Sequence, residues 1–520
     1  LLIEDLHFLD TASEEFLQNL AASVRGHRAL LIVNHRPYYA DGWLLPLLDA
    51  RIAVTALDTE QLTQLTRTRL GNDRSLSTLA QQIGSRAGGN PFFVEEAVQA
   101  LADAGHLLGA PGHYTLVSPI VQWPIADTVH ALLAARIDRL PANAKALLQT
   151  AAVIGEAFAV TTLATVAEAD PQECVQQLRQ LDAAGFLLST TLLDADSAYD
   201  FRHPLMREVA DGLQLESQRA QSHARLAAAL EASNPGSGAS AVRIAHHWQQ
   251  AGEWAKAGQW NLAAARWAGT RDMRITIEQF QLALANLDRA PADAQSVHLR
   301  ITARAGLIRM AQFTPVPLAD VERAYAEGRA MAAESGDVAG AAELAISYGN
   351  ELLHRSDAEG ALRLHREAVQ YCMQHGQAAL VQRFRMAILL SHFSAGRPRE
   401  GIALVDTADD GQWRHEVIGE DNFVSRGFHS LMLVWLGELP KAQQQLQTVL
   451  DYASREGRNA SWMHAFMVDI AWFTGDYSEA LHHGRQAMER AHENGGPYFH
   501  VIAGRALALA LCLNEQFAEA

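Results

Sequence analysis

Four short segments carry residues whose types and spacing could do chemistry. The first is LLIEDLHFLD, residues 1–10, where an apolar run ends in two adjacent acids, Glu4 and Asp5. This is the Walker B pattern: a strand delivers carboxylates at the carboxyl edge of a parallel sheet, where ligands of open α/β folds sit. One carboxylate can organise Mg²⁺ and its waters while the other polarises an attacking water. A solvated strand end would look the same. The second segment, LLIVNHRP at 30–37, ends a strand with Asn34, His35 and Arg36. Beside the first strand, Arg36 would hold a permanent cation near a terminal phosphate; otherwise it simply opens a surface loop before Pro37. The third, GNPFFVEE at 89–96, starts a helix at Pro91, whose ring can pack on a purine face while Gly89 lets the backbone come close. A plain turn with Phe92 and Phe93 in the core is the other reading. The fourth is FRHPLMREV at 201–209. His203 there can meet a diphosphate or act as a capped core histidine, and spacing alone favours the second role.

Elements that must position these residues follow from periodicity. LLI leads into a helix from about Ser13 to Val24, ALLIVNHRP is a second strand, and RIAVTAL from Arg51 is a third. Strand, helix, strand at this spacing implies a parallel sheet, and the near-continuous apolar runs imply strands covered on both faces. From Asp58 strands become rare. LDTEQLTQLTRTRLG is a helix capped by Asp or Thr. Two more helices are split by Gly88, Gly89, Asn90 and Pro91. Residues 130–185 hold three helices, with breaks at Pro141, Gly155 and Pro171 and a stop at Gly185, followed by the strand pair FLLST and AYDF. Three helices and a hairpin in so short a stretch resemble a winged helix.

Beyond Pro204 the pattern is helical, with NPGSGAS at 234–240 as a linker by composition. A turn followed by a helix carrying a small residue then recurs at Ala361, Gly401, Ala442, Ala480 and Ala520, at separations of 40, 41, 38 and 40. Such a period means stacked helix–turn–helix units, longer than the standard tetratricopeptide repeat and so TPR-like. The small residue lets paired helices approach closely.

Composition narrows the function classes. The chain has 520 residues, too many for one core. A net charge of -17 with dispersed basic residues argues against a nucleic-acid or membrane-surface footprint. Cys174, Cys372 and Cys512 lie far apart with no CxxC pair, which argues against a disulfide framework and fits a reducing cytoplasm. No apolar run is long enough to span a membrane. GxxxxGK[ST], HExxH, GxSxG and the kinase signatures are all absent from the sequence. The pairs His246–His247 and His482–His483 fit helical packing better than a metal site. Leu1 opens directly on a strand and the last residues stop within a helical pattern, so the expectation is a chain that continues in both directions.

Taken in order, LLIEDLHFLDTAS, LLIVNHRP, GNPFFVEE, RIDRLPANAKALLQTAAVIG and FRHPLMREVA resemble the STAND class of AAA-related signalling ATPases. Members occur in LuxR-type transcription activators, in some bacterial protein kinases and behind class III adenylate cyclase domains. The resemblance covers about 1–230, and REVADGLQLESQRAQSHARLAAAL and IAHHWQQAGEWAKA are most similar to the cyclase-associated branch. It implies Glu4 and Asp5 as the Walker B acids holding Mg²⁺, Arg36 as the sensor arginine, Pro91 near adenine and His203 as an ADP-sensing histidine. Asp10 would support the loop. Asp211 stands where the family carries an aromatic residue, which puts the local helix packing in question.

The implied architecture is mainly α. It comprises a truncated α/β P-loop NTPase core at 1–85, a helical lid at 86–125, a winged-helix-like domain at 126–212, helical linker and first repeats at 213–290, and a TPR-like α-solenoid at 291–520. The implied cofactors are ATP or ADP with Mg²⁺. The implied partner is a protein or small-molecule inducer on the repeats, with self-association compatible, no membrane and no direct nucleic-acid contact. Three functions fit: the regulatory region of an adenylate or guanylate cyclase, the same region of a LuxR-type regulator, or a degenerate scaffold in which only the repeats bind. The phosphate cradle is missing, so the expectation for the chain alone is poor ATP binding.

Overall fold

The computed structural model describes residues 1–118, 120, 123–190, 198–233, 238–269, 272–314, 316–408, 410–419, 422–494 and 497–519. The chain forms two compact units, Leu1–Arg139 and Leu140–Ala520.

The first unit opens with β1 (Leu2–Ile3), α1 (Thr11–Val24) and β2 (Ile32–Val33). The strands pair in parallel, Leu2 against Ile32 and Ile3 against Val33. Asp10 caps α1 by accepting from the Ser13 amide at 2.8 Å. Beneath the sheet a small core gathers Leu6, Leu17 and Leu44. The expected third strand does not form: residues 51–56 run without strand structure, with Ile52 86% and Val54 93% exposed. Alternating apolar residues suffice for strand propensity, but a strand exists only where a neighbour completes its ladder. The expected cover on both faces is also absent, since Leu1, Leu2, Leu30 and Ile32 are all exposed.

The rest of this unit is better packed. α2 (Thr59–Leu70) carries a full capping box between Asp58 and Gln61. α3 (Ser77–Arg86) and α4 (Pro91–Asp103) flank the expected glycine break. A short antiparallel pair, β3 (Leu107–Leu108) with β4 (Thr115–Leu116), follows, and then α5 (Val129–Asp138). Leu62, Leu70, Leu79, Ile83, Phe93, Val94 and Leu101 close one core with Leu132 of α5.

The second unit begins with α6 (Ala142–Ile154), β5 (Ala157–Ala159), α7 (Val160–Ala167), α8 (Pro171–Ala183), β6 (Leu187–Thr190) and β7 (Ala198–Phe201). The strands form a sheet in the order β5-β7-β6, antiparallel throughout. The stretch 130–185 therefore holds four helices, not three. The extra one, α7, is rich in Val and Thr, which helices disfavour; burying Val160, Leu163, Ala164 and Val166 overrides that preference.

The helices that follow are α9 (Pro204–Gly212), α10 (Glu216–Ser233), α11 (Ala241–Gln250), α12 (Trp254–Ala268), α13 (Met273–Leu287) and α14 (Ala294–Met310). Then come α15 (Leu318–Ser335), α16 (Val338–His354), α17 (Ala358–Gln374), α18 (Ala378–Arg383), α19 (Arg385–Ser394) and α20 (Pro398–Asp406). The series ends with α21 (Phe423–Trp435), α22 (Leu439–Arg455), α23 (Ser461–Thr474), α24 (Tyr477–Asn494) and α25 (Pro497–Leu513). Part of the linker, 234–237, and the last repeat position, Ala520, lie outside the described residues.

Cores in this array are local, one per group of neighbouring helices, as in a solenoid. The repeat positions have a common structural meaning. Ala361, Gly401, Ala442 and Ala480 are each the fourth residue of the second helix of a hairpin, and all are buried. Each stands five residues after a left-handed turn residue: Ser356, Gly396, Gly437 and Gly475. That conformation ends the first helix, and the small side chain then admits its partner. A Cβ on Gly401 would sit 2.5 Å from the His392 Cβ. The same step recurs earlier, from Gly252 to the buried Ala257.

Candidate nucleotide-site half

Parallel pairing of β1 and β2 brings their carboxyl ends together. Glu4 and Asp5 leave the first strand where Asn34, His35 and Arg36 leave the second. Asn34 holds this edge. Its side-chain oxygen accepts from the Asp5 amide at 2.7 Å, its carbonyl accepts from the Leu6 amide at 3.0 Å, and its own amide donates to the Ile3 carbonyl at 3.2 Å. Asp5 adopts a left-handed conformation, φ 56 and ψ 49. Aspartate tolerates this better than most residues, at a cost of about 1 kcal/mol. The turn redirects the chain into Leu6, which is fully buried.

Glu4 and Arg36 are exposed and Asp5 is half-buried. His7 Nδ1 lies 3.9 Å from Asp5 Oδ1 and is a buried ring nitrogen without a hydrogen bond. His35 turns towards Asp41, with Nε2 3.6 Å from Oδ2. Two adjacent carboxylates at a sheet edge suit Mg²⁺, which takes one or two carboxylates and fills its sphere with water and phosphate oxygens.

Pro91 is the first residue of α4, exposed, with Asn90 capping by accepting from the Phe92 amide at 2.9 Å. Gly89 has φ +87, and a Cβ there would meet the Ala56 Cβ at 2.7 Å. Its carbonyl accepts from the Leu57 amide at 3.1 Å. The glycine thus admits segment 56–57 of this same chain. Phe93 is in the core and Phe92 is partly exposed.

His203 belongs to the second unit. It caps α9, its Nδ1 accepting from the Leu205 amide at 3.1 Å, which puts the proton of the neutral ring on Nε2. Asp211, expected to disturb this helix, faces Gln214 at 3.2 Å and Arg219 at 3.5 Å. Met206, Val209 and Ala210 remain buried, so α9 keeps its packing.

A cluster that periodicity did not single out lies in the first unit. Arg136 of α5 has a side chain only 1% exposed, pairs with Glu96 of α4, and donates through Nε to Asp103 at 3.0 Å. Burial pushes the Glu96 carboxyl up, against the opposing pull of Arg136. Arg139 reaches the Ala100 carbonyl at 3.4 Å. Both arginines lie in RIDRLP, whose work in this fold is to fasten α5 to α4. The signal was present in the apolar stripe Leu132, Leu133, Arg136 and Ile137, which sets Arg136 on the buried face.

The paired histidines are helical, as expected. His247 of α11 meets His223 of α10 with Nδ1 atoms 2.9 Å apart, and His483 of α24 meets His464 of α23 in the same way at 2.9 Å. One proton shared between two rings satisfies such a contact. The three cysteines are free, and no helix among the described residues is long and apolar enough to cross a membrane.

No family model matches the chain. An uncharacterized protein of Rhizobium meliloti (strain 1021) is 25% identical over 283 residues, which is 54% of this chain and 27% of that protein. The chain thus spans about a quarter of the length of this curated relative. Among solved structures, a signal transduction ATPase with numerous domains (STAND) protein with a tetratricopeptide repeat sensor, from Pyrococcus horikoshii, aligns over 100% of this chain and 80% of its own. The TM-score is 0.41 at 12% identity, a likeness that carries no argument about function.

Proposed function

We propose that this chain is the regulatory region of an ATP-dependent signalling switch of the STAND type, with the helical array as its sensor. The observation that carries this reading is the parallel pairing that sets Glu4 and Asp5 beside Asn34 and Arg36 at one sheet edge. In this reading Glu4 and Asp5 hold Mg²⁺, Arg36 faces the terminal phosphate, Pro91 borders adenine and His203 senses ADP. GxxxxGK[ST] is absent from these 520 residues, so this reading requires that another segment supply the phosphate-cradling loop. The uncovered sheet face, with Leu2 57% and Ile32 50% exposed, is what a half-site awaiting its other layer would present. The β5–β7 sheet with α6 and α8 supports a winged helix between ATPase and array.

An inducer on the array shifts the switch only if it binds the ATP and ADP forms with different affinity. The output of the cyclase-like branch would be cyclic nucleotide synthesis in a further domain. A degenerate scaffold is the second reading. It is favoured by the structural employment of Gly89, Asn90 and His203, each of which has a packing or capping role without nucleotide. Nucleotide exchange separates the two readings. A protein extended to include a GxxxxGK[ST] segment should bind ADP and release it faster when an inducer is present. A scaffold would bind no nucleotide at all.

A further inference from the structure

The helical array contains a cavity whose chemistry differs from that of the chain around it. It has a volume of about 350 Å³, at the lower end of the range for small-molecule sites. Residues from α12, α13, α14, α16, α19 and α23 line it, so the array curls to bring Ala265 and Trp462 to one space. Phe280, Phe313, Met386, Leu390 and Trp462 supply apolar wall. In a chain of net charge -17, the lining carries two arginines, Arg266 and Arg309, and no acid.

Neither arginine is fully engaged. Arg266 gives Nε to the Leu262 carbonyl at 3.2 Å. Arg309 stands 3.8 Å from Glu343, beyond hydrogen-bond distance, with 41% of its side chain open to solvent although protein surrounds it. Those surroundings, and the nearby Arg266, hold its pKa below the usual value, with Glu343 opposing. An anion in the cavity would relieve both effects. Two amides on the wall point the same way. Gln312 Nε2 and Asn350 Oδ1 are buried polar atoms without a hydrogen-bond partner. An unmet buried donor or acceptor is costly, and the broad terminal torsions of these side chains let each turn towards an occupant. The larger cavity by α22–α24, about 530 Å³, is less apt, because the imidazoles of His464 and His483 already pair with each other there.

We propose that this cavity binds a small amphiphilic anion, an aryl or branched-alkyl carboxylate. Its carboxylate lies at Arg266 and Arg309, and its apolar body rests on Phe280, Phe313 and Trp462. The assignment rests on the array being the sensing part of the switch, and it names the class of inducer. The test is calorimetric titration of the full 520-residue chain with phenylacetate, indole-3-acetate and 4-methylpentanoate, each beside its neutral amide. At least one carboxylate should bind at a single site, at least tenfold tighter than its amide. Arg266→Met and Arg309→Met should each weaken that binding at least tenfold with the melting temperature unchanged, and Leu390→Trp should block it by filling the space. Absence of binding by all three acids, equal binding of acid and amide, or full binding by the double methionine variant would overturn the site. Carboxylate binding that leaves nucleotide exchange in the extended protein unchanged would keep the site and count against the switch.

Discussion

The sheet edge of the first unit and the helical array of the second solve the burial problem in opposite ways. In the array each helix buries its small-residue face on its sequence neighbour, so Ala361, Ala442 and Ala480 are completely inaccessible. In the two-stranded sheet Leu2 and Ile32 remain exposed, as do Ile52 and Val54 in the segment that forms no strand, because no neighbouring element among the described residues covers them. Local contacts make a solenoid self-sufficient, whereas a parallel sheet depends on elements distant in sequence. The candidate acids Glu4 and Asp5 stand on the dependent region, and the histidines with strongly lowered pKa values on the self-sufficient one.

Acid should break the two regions apart most strongly. Burial lowers the pKa of His223, His365 and His429 to about 4 and of His247 and His464 to about 3, all in the second unit. Neighbouring cations add to this: Arg219 at His223, Arg243 at His247 and Arg490 at His464, along with His246 and His482. The folded values lie below the unfolded one of 6.5. The stability these neutral rings contribute is therefore full above pH 6.5 and is lost as pH falls from there towards 4 and 3. Circular dichroism melts across pH 8 to 4 should show the array failing first, and His464→Asn should flatten its profile. The raised Glu96 carboxyl has the opposite sign, favouring the first unit at lower pH.

Within the first unit, Arg136→Met leaves Glu96 buried without its cation and should cost about 3–5 kcal/mol in denaturant unfolding. The loss should shrink as pH falls and Glu96 takes up a proton. A smaller effect is expected in the array from Gly349→Ala, whose new Cβ would collide with the buried His365 ring. Overpacking of this kind costs about 1–3 kcal/mol. Least of all, Leu2→Thr and Ile32→Thr on the open sheet face should change stability by under about 0.5 kcal/mol. A larger loss would mean that this face is covered in solution.

This contrast also governs what could be read from sequence. Capping at Asp58, the break at Gly89–Asn90–Pro91 and the repeat from Ala361 to Ala480 are local signals, and the structure follows them. Segment 51–57 has the composition of a strand and lacks a partner to make it one. α7 carries strand-like residues and is helical because its neighbours bury it. At the candidate site, the acids and Arg36 were visible as strand endings. The Asn34 clamp and the left-handed Asp5 were not, because each depends on the register between β1 and β2. The Arg136–Glu96–Asp103 cluster joins helices 40 residues apart and needed the packed fold to appear.

The most direct test of the half-site is Mg·ATP calorimetry on this chain and on a protein extended to include a GxxxxGK[ST] segment. The account predicts that the chain alone binds weakly, and that the extended protein binds tightly and depends on Mg²⁺, with Asp5→Asn weakening it at least tenfold. Tight binding by the 520 residues alone, or an Asp5→Asn variant that binds as well as its parent, would contradict it.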